Sequence, residues 1–375
     1  MIELKGITWD HPRGYAPLEA LSEHDGVSVK WSRRSLKDFG DFSLAELAER
    51  FDLLVWDHPH SGEAASGILR PFDELLPDAT LQAIAGEGRT PSFQSYQVDG
   101  HQWALPIDAA CHVSVCRPDL VGAQPLPQSW DAFEAFVDQL SKEGLQVVTA
   151  LHPTDANCCF LTLSAQLGDA PSGRQWIRRE TVLRVLERLE LLFASGPAEA
   201  LDLNPIQVLE RMVKTDTIAY SPFLFGYTDY ARERAGGPSL RFGNIPGAHG
   251  ACLGGAGIGI SARCEAPQAA AVYAAYLCSA EVQRGAYVRT GGQPAHEAAF
   301  THPEANAIAG DFFASTKETL EHAYVRPRVS AWPKFQFKIG ELVNTHLREG
   351  MDRQSTADKL EQAHASIIAS SEKSS

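Results

Sequence analysis

The sequence predicts an α/β protein of two lobes, each a mainly parallel sheet flanked by helices. The first observation is length: 375 residues exceed what one ordinary hydrophobic core organises, so two lobes are expected. The second is an alternation of strand-like and helix-like segments within residues 1–56, which is typical of βαβ units. The third is that no apolar run approaches the roughly 20 residues that a membrane helix needs.

Local patterns define the first elements. The segment at 51–56, FDLLVW, is almost continuously apolar, as expected of a parallel strand that is covered on both faces. Pro17 stands in the first turn of a helix-like segment, a position that tolerates its missing N–H. The elements predicted in this part are strands at 2–9, 27–31 and 51–56 and helices at 17–22 and 43–50.

The rest of the chain continues the α/β pattern. Asp99-Gly100 predicts the turn of a hairpin over 97–106. Ser129 is a good N-cap for a helix over 129–142 that has an apolar face. The other predicted strands lie at 112–116, 147–151, 217–220, 240–245 and 256–261, and the other helices at 157–167, 180–195, 267–277, 280–289, 335–348 and 356–370.

The charge balance excludes two classes of partner. The chain has 47 acidic and 33 basic residues, which gives a formal net charge of −14. Such a surface repels nucleic acid and anionic lipid, so neither nucleic-acid binding nor membrane insertion is expected.

The N-terminus and the cysteines bear on the compartment. The segment 1–10 runs straight into strand-like alternation and lacks the pattern of a secretory signal, which favours a cytoplasmic protein unless a signal was removed. The seven cysteines are odd in number and contain no C-x-x-C pair, so neither a disulfide framework nor a zinc ribbon is expected. They are predicted to be reduced and buried.

Short segments spread over the chain resemble one known family. In order they are FDLLVWDHP at 51–59, GILRPFDELLP at 67–77, WALPID at 103–108, PQSWDAF at 127–133, GGAGIGIS at 254–261, AAYLCSAEVQ at 274–283 and GGQP at 291–294. In order and spacing they resemble the extracellular solute-binding proteins of family 1, the sugar-binding subunits of ABC importers.

The resemblance implies a type II periplasmic-binding-protein-like fold. The first lobe would contain residues 1–109 and 243–300, and the second 110–242 and 301–375. A small polar ligand would bind in the cleft between them, and hinge closure would bury it. The resemblance also implies a monomer without a cofactor, a periplasmic location and ABC permease subunits as partners.

A tetrapeptide occurs twice, as Trp9-Asp10-His11-Pro12 and as Trp56-Asp57-His58-Pro59. Each copy follows a predicted strand, so both are expected at carboxyl ends of strands. Tryptophan faces can stack on sugar rings, while Asp and His can hydrogen-bond hydroxyls. Alternatively, Asp and Pro simply end the strands and the tryptophans pack in the core. Two Asp and two His could also ligate a divalent metal, but no metal site is predicted.

Asp108 and Cys111 lie at the predicted crossover between the lobes. The resemblance places Asp108 against the ligand. Cys111 reads most simply as a buried thiol. The alternative is a nucleophile activated by a nearby base such as His112, His11 or Asp57, because the enzyme thiaminase I resembles this fold and uses a cysteine near this crossover.

Further candidate ligand contacts lie in loops and at strand ends. Tyr227 and Tyr230 belong to an aromatic loop and are expected to line the site. Asp155 follows a predicted second-lobe strand. Gly255 stands in a glycine-rich segment that lacks the G-x-G-x-x-G pattern, so we expect close backbone approach to the ligand rather than nucleotide binding. Gln293 lies in a loop that can reach the site.

Two functions remain open at the level of sequence. The first is a solute-binding protein that captures a carbohydrate-like ligand for an ABC importer. The second is a cytoplasmic enzyme derived from the same fold, with Asp10, His11, Asp57, His58 and Cys111 as candidates for acid–base or nucleophilic chemistry. A cytoplasmic ligand sensor is a third, weaker possibility.

Overall fold

The computed structural model describes residues 1–35, 43–122, 124–173, 175–233 and 237–372. They form two compact units. The first unit consists of residues 1–110, 254–314 and 328–330, and the second of residues 111–253, 315–327 and 331–375. The chain first passes from the first unit to the second between residues 110 and 111, within one long strand.

Twelve strands occur in the described ranges. They are β1 (Ile2–Trp9), β2 (Glu23–His24), β3 (Val27–Arg34), β4 (Leu53–Trp56), β5 (Leu69–Arg70), β6 (Gln97–Val98), β7 (His101–Gln102), β8 (Leu105–Cys116), β9 (Gln146–Val147), β10 (Ile218–Phe225), β11 (Arg241–Gly243) and β12 (Leu253–Ser261).

The α-helices flank these strands. They are α1 (Pro12–Ala20), α2 (Leu44–Ala48), α3 (Ser61–Glu63), α4 (Asp78–Ala85), α5 (Pro118–Val121), α6 (Trp130–Lys142), α7 (Pro153–Gln166), α8 (Arg179–Ala194), α9 (Pro205–Lys214), α10 (Pro267–Cys278), α11 (Ala280–Val282), α12 (Pro303–Ile308), α13 (Phe312–Glu321), α14 (Trp332–Glu349) and α15 (Arg353–Glu372). In the described ranges no helix is both long and apolar enough to cross a bilayer.

The sheet of the first unit is built around β1. Strand β1 is parallel to β3 on one side and to β4 on the other, with Gly6 opposite Leu53. Strand β12 then pairs antiparallel with β4. Residues of β4 alternate between two cores, with Leu53 and Val55 on one face and Leu54 and Trp56 on the other. The sheet is therefore covered on both faces, which explains the continuously apolar sequence of β4.

In the second unit, β8 carries the sheet. Strands β10 and β11 both pair with it antiparallel, and β10 is parallel to β9. The strand that the sequence predicts at 147–151 is confined to Gln146–Val147. Helix α7 packs closely on α14, and Gly340 makes this possible. A Cβ atom at this position would lie 2.0 Å from the carbonyl oxygen of Pro153. The predicted α/β class is confirmed.

Candidate functional site

The first part of the candidate site is the edge of the first-unit sheet where β1 and β4 end. The two strands are parallel neighbours, so Trp9 and Trp56 stand at the same edge. The carboxyl ends of strands are where open α/β sheets place their ligands. The structure thus brings the two copies of the repeated tetrapeptide to one edge, as the sequence predicts.

Each tetrapeptide turns a strand into a helical segment. His11 is the N-cap of α1, and its Nδ1 accepts a hydrogen bond of 3.2 Å from the backbone N–H of Arg13. Asp57 is the N-cap of a 3₁₀ turn, His58–His60, and its Oδ1 accepts a bond of 2.8 Å from the N–H of His58. Proline follows in both cases within the first turn of the helical segment, Pro12 at its first position and Pro59 at its second, where a missing N–H is tolerated. The repetition therefore has a local structural cause.

The two aspartates of the repeat have different surroundings. The side chain of Asp10 is 59% exposed and lies 3.6 Å from the guanidinium of Arg33. The side chain of Asp57 is 24% exposed and lies 3.1 Å from Nδ1 of His58, whose ring is buried. Of the two, Asp57 is thus the more enclosed carboxylate at this edge.

The tryptophans of the repeat are buried in different cores. Trp9 is 5% exposed, and Gly14 of α1 comes so close that a Cβ there would lie 2.3 Å from the indole ring. Trp56 is 1% exposed and packs edge-on against Tyr96, with ring centroids 5.1 Å apart. In this structure both tryptophans pack in the core. Their stacking on a sugar ring stays a prediction.

A buried ion pair lies beside this edge. The guanidinium of Arg13 in α1 donates to both carboxylate oxygens of Asp108 in β8, with an Nε–Oδ2 distance of 2.7 Å. The Asp108 side chain is fully buried and that of Arg13 is 6% exposed. Burial raises the pKa of Asp108, the charge of Arg13 opposes that shift, and the charge of Asp57 adds to it.

Two glutamines hold the same stretch of β8. Gln293 donates through Nε2 to the carbonyl of Ala109 at 2.9 Å, and its own carbonyl accepts from the Ala109 N–H at 3.3 Å. Gln283 donates to the carbonyl of Ile107 at 3.2 Å and accepts from the N–H of Ala295 at 2.8 Å. The Gln293 side chain is buried, with 2% of it exposed. The hydrogen-bond partner that these contacts give it is strand β8.

Gly255 also contacts β8. It has φ +106°, and a Cβ atom at this position would lie 2.3 Å from the carbonyl oxygen of Asp108. The close approach observed here is to the neighbouring strand, and the predicted approach of Gly255 to a ligand stays a prediction. Both the backbone conformation and the lack of space require glycine here.

Cys111 is the first residue of the second unit. It is 3% exposed, and burial raises the pKa of its thiol far above the ordinary value. Neighbouring His112 carries no positive charge at neutral pH, because burial lowers the pKa of its imidazole to about 3. The thiolate is the reactive form of cysteine. Cys111 thus has the properties of a buried structural thiol.

Asp155 lies in the first turn of α7. It is 7% exposed, and burial raises the pKa of its carboxyl to about 8. At neutral pH the group is therefore largely protonated and can donate as well as accept a hydrogen bond. The sequence prediction named Asp155 as a polar contact, and its burial is the feature that only the structure supplies.

The predicted tyrosines follow β10 in the second unit. Tyr230 closes a 3₁₀ turn, Thr228–Tyr230, and its hydroxyl donates to Oε1 of Glu210 in α9 at 2.7 Å. Tyr230 is 5% exposed and Tyr227 is 8% exposed. Both rings are thus largely covered within their own unit, and their contact with a ligand stays a prediction.

Sequence reasoning missed the buried partners of these residues. Arg13 directly follows the first tetrapeptide, but it is 95 positions from Asp108, and no local pattern reveals a contact over that distance. The sequence places Gln283 in a predicted helix and gives no sign of its hydrogen bond to Ile107. Among the described residues, no group of three or more His, Cys, Asp and Glu side chains is arranged to hold a metal ion.

A family model for bacterial extracellular solute-binding proteins matches residues 21–310. This match covers most of the 375-residue chain. The chain belongs to this family. No curated protein is significantly similar to it in sequence.

Solved structures of solute-binding proteins have the same fold as this family member. Maltose-bound MalE3 of T. maritima is 16% identical with a TM-score of 0.82, covering 98% of this chain and 99% of that one. A protein of Agrobacterium radiobacter K84 in complex with ribitol is 18% identical with a TM-score of 0.79, covering 98% of both chains. A Thermotoga lettingae protein bound with α-D-tagatose is 15% identical with a TM-score of 0.78, covering 98% and 100%. At these identities the similarity shows the fold.

The buried ion pair predicts an asymmetric response to mutation. Arg13→Met leaves the Asp108 carboxyl buried without its cation, which costs about 3–5 kcal/mol in the free energy of unfolding. Arg33→Met is the matched control, because its pair with Glu19 is exposed and contributes less than about 1 kcal/mol. Urea denaturation measures both variants. Equal, small losses would contradict a structural role for the buried pair.

Gly255→Ala is expected to destabilise the protein by more than Gly291→Ala. Both glycines have positive φ, +106° and +103°, but no atom lies within 4 Å of a Cβ at Gly291. The control therefore measures backbone strain alone, about 1–2 kcal/mol, and Gly255→Ala adds the clash with β8. Thermal unfolding of the two variants gives the comparison, and equal melting temperatures would refute the close approach.

The raised pKa of Asp155 predicts a pH-dependent stability. Between about pH 4 and pH 8 the unfolded carboxyl loses its proton while the folded one keeps it, so its contribution to stability falls with rising pH and is constant above the folded pKa. Asp155→Asn removes this loss. Relative to wild type, we expect its free energy of unfolding to be about 2–5 kcal/mol more favourable at pH 8.5 than at pH 4. Urea titrations at both pH values test this. Asp131→Asn, an exposed first-turn aspartate of α6, is the control and should change unfolding by less than about 1 kcal/mol at either pH. Parallel pH profiles of wild type and Asp155→Asn would exclude a raised pKa.

Proposed function

We propose that this protein binds a neutral sugar or polyol and delivers it to an ABC permease. Membership in the extracellular solute-binding family supports the binding role. The ligands of three similarly folded proteins, maltose, ribitol and α-D-tagatose, support the ligand class. A place outside the cytoplasm and a permease as partner follow from that role and belong to the same proposal.

The observation that carries the ligand class is the compensation of charge at the first-unit edge. Arg13, a buried cation beside the strand ends, is neutralised by Asp108. Arg13 therefore offers no free charge to an anionic ligand, and such a ligand would meet the Asp57 carboxylate. The formal net charge of −14 also disfavours the approach of anions. The arrangement therefore disfavours an anionic ligand, and the neutral ligands of the three similarly folded proteins favour an uncharged compound over a cationic one.

Asp57 is the proposed principal contact. A carboxylate only accepts hydrogen bonds and offers two oxygens, so it pairs well with neighbouring hydroxyl groups of a sugar. Its side chain is partly exposed at the carboxyl end of β4, and His58 fixes it from one side. Asp155 suits the same ligand class, because a protonated carboxyl presents both a donor and an acceptor.

The enzyme alternative gains no support from the candidate nucleophile. A thiol with a pKa as far raised as that of Cys111 holds almost no thiolate at neutral pH, and neighbouring His112 is neutral and hydrogen-bonded to Thr162 at 2.9 Å. Nucleophilic catalysis by cysteine needs a lowered pKa and a basic neighbour. We therefore propose that bound ligand leaves the protein unchanged.

The proposed function can be tested with a panel of ligands, each of which is recovered after incubation with the protein. Maltose, ribitol, tagatose and mannitol are compared with an amino sugar and a sugar acid by thermal shift, and each stabilising compound is recovered and weighed by mass spectrometry. We expect a neutral compound to raise the melting temperature and to return intact. Stabilisation only by the amino sugar would overturn the neutral class, and a chemically altered compound would establish an enzyme.

Asp57→Ala is expected to weaken the binding of that compound at least tenfold, about 1.4 kcal/mol, measured by calorimetry. Because Asp57 also caps a turn, Ser43→Ala is the control: it removes a comparable cap at the start of α2 and belongs to neither tetrapeptide. Ser43→Ala should leave the affinity unchanged. Equal affinities of wild type and Asp57→Ala would remove Asp57 from the site.

A further inference from the structure

A third strand ends at the sheet edge that carries the two tetrapeptides. Strand β3 ends at Arg34, which is paired in the ladder with Trp9, the last residue of β1. The strand order is β3-β1-β4, and both β3 and β4 are parallel to β1. The carboxyl ends of all three strands therefore lie along one edge, and Arg34 stands beside the first tetrapeptide.

The ladder between β1 and β4 stops before this edge. It ends at Ile7 and Leu54, although β1 continues to Trp9 beside β3 and β4 continues to Trp56 beside β12. The last two residues of each strand are thus held by the neighbour on the far side and not by this ladder. The distance between the two tetrapeptides therefore depends on contacts other than the pairing of β1 with β4.

Arg34 supplies such a contact. Its Nη2 donates to the carbonyl of Val55 in β4 at 2.8 Å. Because β3 and β4 are two strand spacings apart, about 10 Å, the side chain has to extend past the end of β1 to make this bond. The backbone carbonyl of Arg34 accepts from the N–H of Asp10 at 2.7 Å. One residue thus holds the first tetrapeptide through its main chain and the residue before the second tetrapeptide through its side chain.

Two adjacent arginines at this edge have different surroundings. The side chain of Arg33 is 38% exposed and pairs with Glu19 at 2.6 Å, as ordinary surface arginines do. Arg34 is buried, with 9% of it exposed. A buried guanidinium that is hydrogen-bonded to a carbonyl is costly to leave without that partner. The contact between Arg34 and Val55 is therefore a fixed feature of the edge.

We propose that Arg34 is a positioning residue of the ligand site. By holding Asp10 and Val55 at once, it fixes the spacing between the two tetrapeptides, and with it the place of Asp57, two residues after Val55. This spacing selects, among neutral compounds, those whose hydroxyl groups match it. The inference rests on the proposed function, because it takes the ligand to bind at this edge.

A positioning role differs from a purely structural one in its effect on selectivity. A carboxylate that is fixed before the ligand arrives loses less freedom on binding, so a compound that matches it binds tightly. A mobile carboxylate adapts to several arrangements of hydroxyl groups and binds each of them weakly. Loss of the Arg34 side chain should therefore lower the affinity for the best compound and reduce the discrimination between compounds.

Calorimetry of Arg34→Met with maltose, ribitol, tagatose and mannitol measures both effects. We expect the affinity for the compound that wild type binds best to fall about tenfold or more, and that for the weakest measurable compound to fall less than about threefold. Arg34→Lys keeps a long cationic donor and should recover most of the loss. Arg289→Met, which breaks an exposed pair with Glu304, is the charge-matched control and should leave the affinities unchanged. Equal losses for all compounds, or no recovery in Arg34→Lys, would overturn the proposal.

Hydrogen–deuterium exchange of the ligand-free protein judges Arg34 separately from the proposed function. In Arg34→Met the backbone amides of residues 53–60 should exchange at least about fivefold faster than in wild type, while those of α10 keep their rate. Unchanged exchange at 53–60 would overturn the positioning role even if a neutral compound binds. If no compound of the panel stabilises wild type, the proposed function fails, and faster exchange at 53–60 still supports the hold of Arg34 on the end of β4.

Discussion

The first unit depends on how strand β8 is fixed, since β8 is buried along its whole length and continues into the second unit. Around residues 107–109 the strand is held by side chains: Arg13 pairs with Asp108, Gln283 binds the carbonyl of Ile107, and Gln293 binds both backbone groups of Ala109. Gly255 leaves room for the Asp108 carbonyl. Buried backbone groups need partners, and the glutamines provide them.

This arrangement also sets the chemistry of the sheet edge. Because Arg13 is committed to Asp108, its charge is balanced inside the protein. Asp57 remains a partly exposed carboxylate at the end of β4. A polar edge whose buried cation is already paired suits a ligand that binds through hydroxyl groups. The stability of the first unit and the proposed ligand class are thus linked through one ion pair.

The second unit uses burial differently. Asp155 forms no ion pair with any residue in the described ranges, and burial keeps a proton on its carboxyl at neutral pH. His112 is enclosed as a neutral imidazole, and the nearby thiols of Cys111 and Cys158 stay protonated. In each case the low polarity of the interior disfavours the charged form. These four groups are therefore uncharged at neutral pH.

The sequence by itself determined the α/β class, the parallel pairing expected of β4, the hairpin at Asp99-Gly100 and the helix capped by Ser129, because periodicity, turn residues and caps act within a few residues. It also brought the repeated tetrapeptides to one sheet edge. Only the tertiary structure decided that Arg13 meets Asp108, that Gly255 approaches a strand and that Gln283 binds the carbonyl of Ile107. These contacts join residues far apart in the chain, and their burial and pKa values depend on neighbours that no local pattern specifies.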